Sequence, residues 1–150
     1  GSDFANTEPT SSVFSSNASG SSSATFVSYC FAEVDGFSKF GVYEGNNNVD
    51  GTFCWLGFKP AFVMIKGIDG SSSSYPFAIY DNKRSPTNPV SLFLSANDSV
   101  VDNTLDRIDF LSNGFKLRQA YSYSNASETY VYVAFAESPF YTSTNPTTAR

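Results

Sequence analysis

Four aspartates, Asp98, Asp102, Asp106 and Asp109, crowd the region that runs into the stretch IDFLSNGFKLR (108 to 118). The chain has no histidine, so triads and zinc sites that need an imidazole are excluded, and acid–base catalysis is left to paired carboxylates. Glycoside hydrolysis requires two carboxyls about 5 to 10 Å apart across a cleft, which makes a polysaccharide depolymerase the enzymatic reading. Aspartates in a loop ahead of a hairpin are more commonly solvated turn formers, and that is the expectation here. Calcium is the third possibility, with Asp98, Asp102 and Asp106 as ligands. NDSVVDNTLD (97 to 106) and NNNVDG (46 to 51) both supply oxygens, yet neither follows a known calcium-loop pattern.

Saccharide binding needs an exposed aromatic ring beside an amide or a carboxylate: the ring stacks on the sugar face and the polar group takes its hydroxyls. The candidates are Trp55, Tyr80 with Asp81 and Arg84, and Tyr121 with Tyr123. Trp55 and Tyr80 stand in apolar stretches and are expected in the core. Tyr121 and Tyr123 stand in a polar loop and are the expected exposed pair. Asn82-Lys83-Arg84 reads as a solvated turn before it reads as an anion contact. The N-x-S triplets at 17, 97 and 125 are glycan acceptors only in a eukaryotic secretory route.

The elements that must position these groups follow from composition. Charged residues make up only 15% of the 150 residues, and 15 Phe and 9 Tyr sit among Ser, Asn, Thr and Gly, the mixture of strands and turns. Length allows one good core and not two. A net charge of -5 opposes a phosphate backbone, so nucleic acid is not an expected partner. No apolar run is long enough to span a bilayer and no signal segment opens the chain, so no membrane insertion is expected. Gly1-Ser2 reads as a tag remnant. Cys30 and Cys54 could pair, but both lie in strand-like apolar contexts where a buried free thiol is the commoner outcome.

Along the chain, residues 1 to 24 form a Ser-rich segment with Phe14 as its anchor. TFVSYCFAEV (25 to 34) carries bulk on both faces and predicts an interior strand. KFGVYEG (39 to 45), GFKPAFVMIKG (57 to 67, opened by Pro60), YPFAIYDNKR, VSLFLS and ETYVYVAFAESPF follow as strands, and no helix exceeds two turns. A two-residue type I′ turn at Asn113-Gly114 would set Ser112 opposite Phe115, Phe110 opposite Leu117 and Asp109 opposite Arg118. Residues 141 to 150 form a polar tail.

TFVSYCFAEVDGF (25 to 37) repeats in TYVYVAFAESPF (129 to 140), and NAS recurs at 17 and 125. Residues 39 to 140 then make one complete module and 25 to 37 the closing strand of the one before. The fold class expected is all-β, an antiparallel β-sandwich of jelly-roll type, with the N-terminal half-repeat packed onto the complete module over 25 to 140.

YCFAEVDGFSKFGVYEGN, DGTFCWLGFKPAFVMIK, IDFLSNGFKLR and YVYVAFAESPF, in that order, resemble the repeated C-terminal modules of virion structural proteins of tailed bacteriophages, especially marine ones. The resemblance implies a non-enzymatic β-sandwich in a tail-associated or fibre-like protein, displayed on the particle after assembly in the host cytoplasm. It implies other virion proteins and host cell-surface polysaccharide as partners, commonly in a homotrimer, and carries no catalytic residues or cofactor. The ending YTSTNPTTAR departs from the short basic ending of such modules. A spacer and a capsid decoration protein stand beside the binding head as readings.

Overall fold

The computed structural model describes residues 10, 12 to 13, 29 to 99, 101, 104 and 107 to 138. The chain divides into two compact units, Gly1–Phe31 and Ala32–Arg150. In the first, the Thr10 hydroxyl accepts from the N–H groups of Ser12 and Val13, a side-chain turn. Tyr29 and Phe31 are 83% and 63% exposed, and residues 29 to 33 carry no strand. The interior strand expected over 25 to 34 is therefore corrected over its described part. Bulk on both faces needs sheet neighbours on both sides, and 29 to 33 have no ladder among the described residues. The rest of that strand, and the segment 1 to 24 apart from residues 10, 12 and 13, lie outside the described residues, as does the tail 141 to 150.

The second unit is all-β. Among the described residues its strands are β1 (Ser38–Glu44), β2 (Phe53–Trp55), β3 (Pro60–Gly67), β4 (Ala78–Asp81), β5 (Phe93–Ser95), β6 (Ile108–Leu111), β7 (Gly114–Leu117) and β8 (Thr129–Ala136), with a 3-10 turn at Ser72–Ser74. They form two antiparallel sheets, of order β1-β8-β3-β4-β5 and β2-β7-β6. The sheets face each other across one core, the sandwich arrangement the sequence predicts. Among the described residues no helix is long and apolar enough to cross a membrane.

Period-two alternation builds this core. In β3, Val63 and Ile65 are fully buried while Phe62 and Met64 are partly covered on the other face, and Pro60 opens the strand. In β8, Tyr130, Tyr132, Ala134 and Ala136 point inward. Across the gap, Phe115 of β7 packs edge-on against Tyr43 and Tyr132, with centroids 6.1 and 5.4 Å away. Buried tyrosines need partners for their hydroxyls, and the 119 to 127 loop supplies them: Tyr43 donates to the Ser124 carbonyl at 2.6 Å and Tyr130 to that of Ser122 at 3.0 Å.

The β6–β7 hairpin turns one residue earlier than expected, which moves the pairing by two residues. Leu111 pairs with Gly114, Phe110 with Phe115, Asp109 with Lys116 and Ile108 with Leu117, so Ser112-Asn113 make the turn. This pairing sets apolar side chains opposite one another, where the expected one set Phe115 against Ser112. Asp109 still reaches Arg118, at 2.6 Å, along the diagonal.

Two loops are clamped by carboxylates. Glu128 accepts from the backbone N–H of Ser72 at 2.6 Å and of Ser71 at 2.9 Å, while Asp69 accepts from the N–H and hydroxyl of Thr129. Donors from Ser72 and Ser71 hold the Glu128 carboxyl down, from an ordinary 4.5 to about 2. A depressed folded-state value means the contribution is complete above 4.5 and disappears as pH falls toward 2. The melting temperature is thus expected to fall over that window, and Glu128→Gln to flatten the fall. Equal acid slopes in the two proteins would remove Glu128 from the account.

Candidate functional site: the Trp55 groove

β2 is only three residues long, and its middle residue, Cys54, takes the inward position. Its neighbours Phe53 and Trp55 are turned outward by the pleat, and Trp55 is 58% exposed. The expectation that Trp55 is a core residue is corrected on this ground. Desolvation pushes the Cys54 thiol up to about 12, so it behaves as a small hydrophobe, while Cys30, expected buried, is a free and exposed thiol.

Beside Trp55 lies a groove of about 290 Å³, lined among others by Glu33, Asp35, Lys39, Gly57 and Phe58. One wall is the tight turn that leads into β1. Ser38 donates its backbone N–H to the Val34 carbonyl at 2.9 Å, Gly36 supplies the left-handed φ of 69°, and Glu33 accepts from the Phe40 N–H at 3.0 Å. The opposite wall follows β2. The N–H groups of Leu56 and Gly57 donate to the Asn113 carbonyl at 2.8 and 3.1 Å, so the turn of the β6–β7 hairpin fixes the chain that leaves Trp55. Gly57 has φ 83° and approaches the indole so closely that a Cβ there would lie 3.2 Å from two ring carbons. The Lys39 ammonium lies over the ring, 4.3 Å from its centroid.

The other expected binding residues are placed elsewhere. Tyr80 is fully buried between the sheets and offers no face to a ligand. Asp81 and Arg84 close on each other: the guanidinium bonds the Asp81 carboxylate and the Ile79 carbonyl, and the Lys83 and Arg84 N–H groups donate to Asp81 Oδ1. Burial opposes ionisation of Asp81, and the Arg84 and Lys83 donors outweigh it, so its carboxyl sits below the usual range. Tyr121 and Tyr123 were expected exposed; they stack on each other at 5.2 Å and are half-buried against the core, Tyr123 also touching Tyr75 and Phe93.

Asp98 is exposed, and Asp102 and Asp106 lie outside the described residues. Asp109, expected solvated, is buried and ion-paired with Arg118. Among the described residues no three acidic or cysteine side chains converge as a metal site. In NNNVDG, Asp50 bonds Lys116, whose hydrogen bond and charge lower its carboxyl below the usual range, and Asn46 and Asn48 bond within the loop and to Asn125.

Glu33, Asp35 and Lys39 escape motif-based reasoning because they come from a turn and a strand start, not from a signature. The available signal is the charge cluster in EVDGFSK, in a chain so poor in charge.

With this geometry in hand, residues 1–139 match a domain family of unknown function, DUF7483. The chain belongs to this family. Comparison with the curated proteins and with the solved structures finds no match. For the DUF7483 domain, the groove beside its single tryptophan is therefore the starting point for a functional reading.

Proposed function

We propose that this domain is a non-enzymatic binding module that takes a cell-surface saccharide in the Trp55 groove, within the tail-associated virion protein implied by the resemblance of its motifs. The observation that carries the proposal is a 58% exposed indole on the rim of a groove that also presents Glu33, Asp35 and Lys39. The ring offers an apolar face to stack on a sugar, and the two carboxylates accept hydroxyl hydrogen bonds. Trimeric assembly would place several such grooves side by side and raise the avidity of weak single contacts.

The chain's only tryptophan makes its intrinsic fluorescence a report on this groove alone. Titration with bacterial surface polysaccharides is expected to shift and quench the emission. Labelled protein should bind cells saturably, and Trp55→Ala should weaken binding about tenfold or more, the equivalent of about 1.4 kcal/mol. Full cell binding by Trp55→Ala, with no change in the parent's emission under any polysaccharide, would overturn the proposal.

A further inference from the structure

Resting on the saccharide reading above, we infer that the sugar the groove prefers carries a protonated amino group. The contact that the structure gives the Lys39 ammonium is the Trp55 ring, at a distance typical of cation–π attraction, and tryptophan is the strongest of the aromatic partners for a cation. Lys39 thus acts as an internal stand-in that shows what the ring face accepts.

The surroundings favour the same class. Glu33 and Asp35 line the groove along with Lys39, so an incoming uronic or sulfated sugar brings its negative charge against two carboxylates, on a protein whose net charge is -5. An ammonium on the sugar meets those carboxylates as partners and can occupy the ring face in place of Lys39. Lysine has a flexible four-carbon stem, so its head can leave the ring for water at small cost. The volume, about 290 Å³, lies at the small end of ligand pockets and suits a single sugar ring with its substituents.

The test follows Trp55 emission in the full chain during titration with five probes: a β-1,4-linked glucosamine oligomer, its N-acetylated counterpart, a neutral gluco-oligosaccharide, a polyuronate and ethanolamine. The glucosamine oligomer should bind at least tenfold tighter than the acetylated and neutral oligomers. The polyuronate should leave the emission unchanged, and ethanolamine, an ammonium without a ring to stack, should be weaker by a similar factor.

Lys39→Met, checked for folding by thermal melting, should bind the glucosamine oligomer several-fold more tightly because the internal cation is gone. Equal affinity for acetylated or neutral oligomers overturns the amine preference and leaves the saccharide reading standing. Ethanolamine binding as tightly as the oligomer overturns the assignment to a sugar amine. An unchanged affinity in Lys39→Met overturns the stand-in role of Lys39. Silence of Trp55 toward every oligosaccharide overturns the underlying saccharide reading itself.

Discussion

Asn125→Asp, which replaces one NH2 by one oxygen, should destabilise the domain by about 3–5 kcal/mol at pH 7, the range for a buried charge left without its partner. The Asn125 side chain is fully buried, and its Nδ2 donates to the carbonyls of Asn48 at 2.8 Å and Gln119 at 3.1 Å and to the Asn46 side-chain oxygen at 3.2 Å. Its Oδ1 accepts from the Asn46 N–H at 3.1 Å, and its carbonyl accepts from Asn47. One amide therefore latches the loop after β1 to the loop before β8. Aspartate keeps the accepting oxygen but sets a second oxygen against three acceptors, where every contact becomes repulsive.

The sign of the pH dependence follows from that geometry. Ionisation is disfavoured in the folded state, so the folded pKa of the new carboxyl rises above its unfolded value of about 3.9. The penalty is small below that value, grows as pH rises through it, and is full above the folded pKa. Urea midpoints of the variant and the parent should therefore lie closer together at pH 4 than at pH 7. A gap that is small, or the same at both pH values, would show that the latch does not hold the loops. The same burial keeps Asn125 from serving as a glycan acceptor, although it opens an N-x-S triplet.

The second large effect is expected at Gly114. A Cβ there would lie 2.1 Å from the carbonyl oxygen of Cys54 and 3.1 Å from its carbonyl carbon, both backbone atoms of β2 that cannot rotate away. Gly114→Ala must push β2 off β7, an overpacking cost of about 3 kcal/mol. For a chain of this size the melting temperature should drop by about 10 °C. Because β2 carries Trp55, the variant's emission should change together with stability. An alanine variant that melts within a degree or two of the parent would show that β2 does not need this close approach.

Gly114 also marks where sequence reasoning stops. Asn-Gly is the strongest local signal for a two-residue hairpin turn, so the glycine reads as a turn residue. Its actual reason is β2, some sixty positions earlier in the chain, which no local pattern reports. Strands with long alternation, β3 and β8, are legible as strands, because each has enough residues for period two to declare itself. In β2 three residues leave the phase open, and apolar character alone drew Trp55 into the core. Tyr121 and Tyr123 mislead in the opposite direction. They sit in a polar loop, but the Asn125 latch and the hydroxyl bonds of Tyr43 and Tyr130 draw that loop onto the sandwich. What the sequence hides in each case is a contact between residues far apart in the chain.

The pairing of β1 with β8 brings the start and the finish of the strand set together. Ser38, where the sheet begins, stands opposite Phe135, near where it finishes, and the Ala136 N–H donates to the Phe37 carbonyl at 2.8 Å. Directly opposed residues of an antiparallel pair are about 5 Å apart. The first strand of the sandwich therefore begins, and its last strand finishes, at one pole. A tether at either Ser38 or Ala136 would hold the sandwich by that pole.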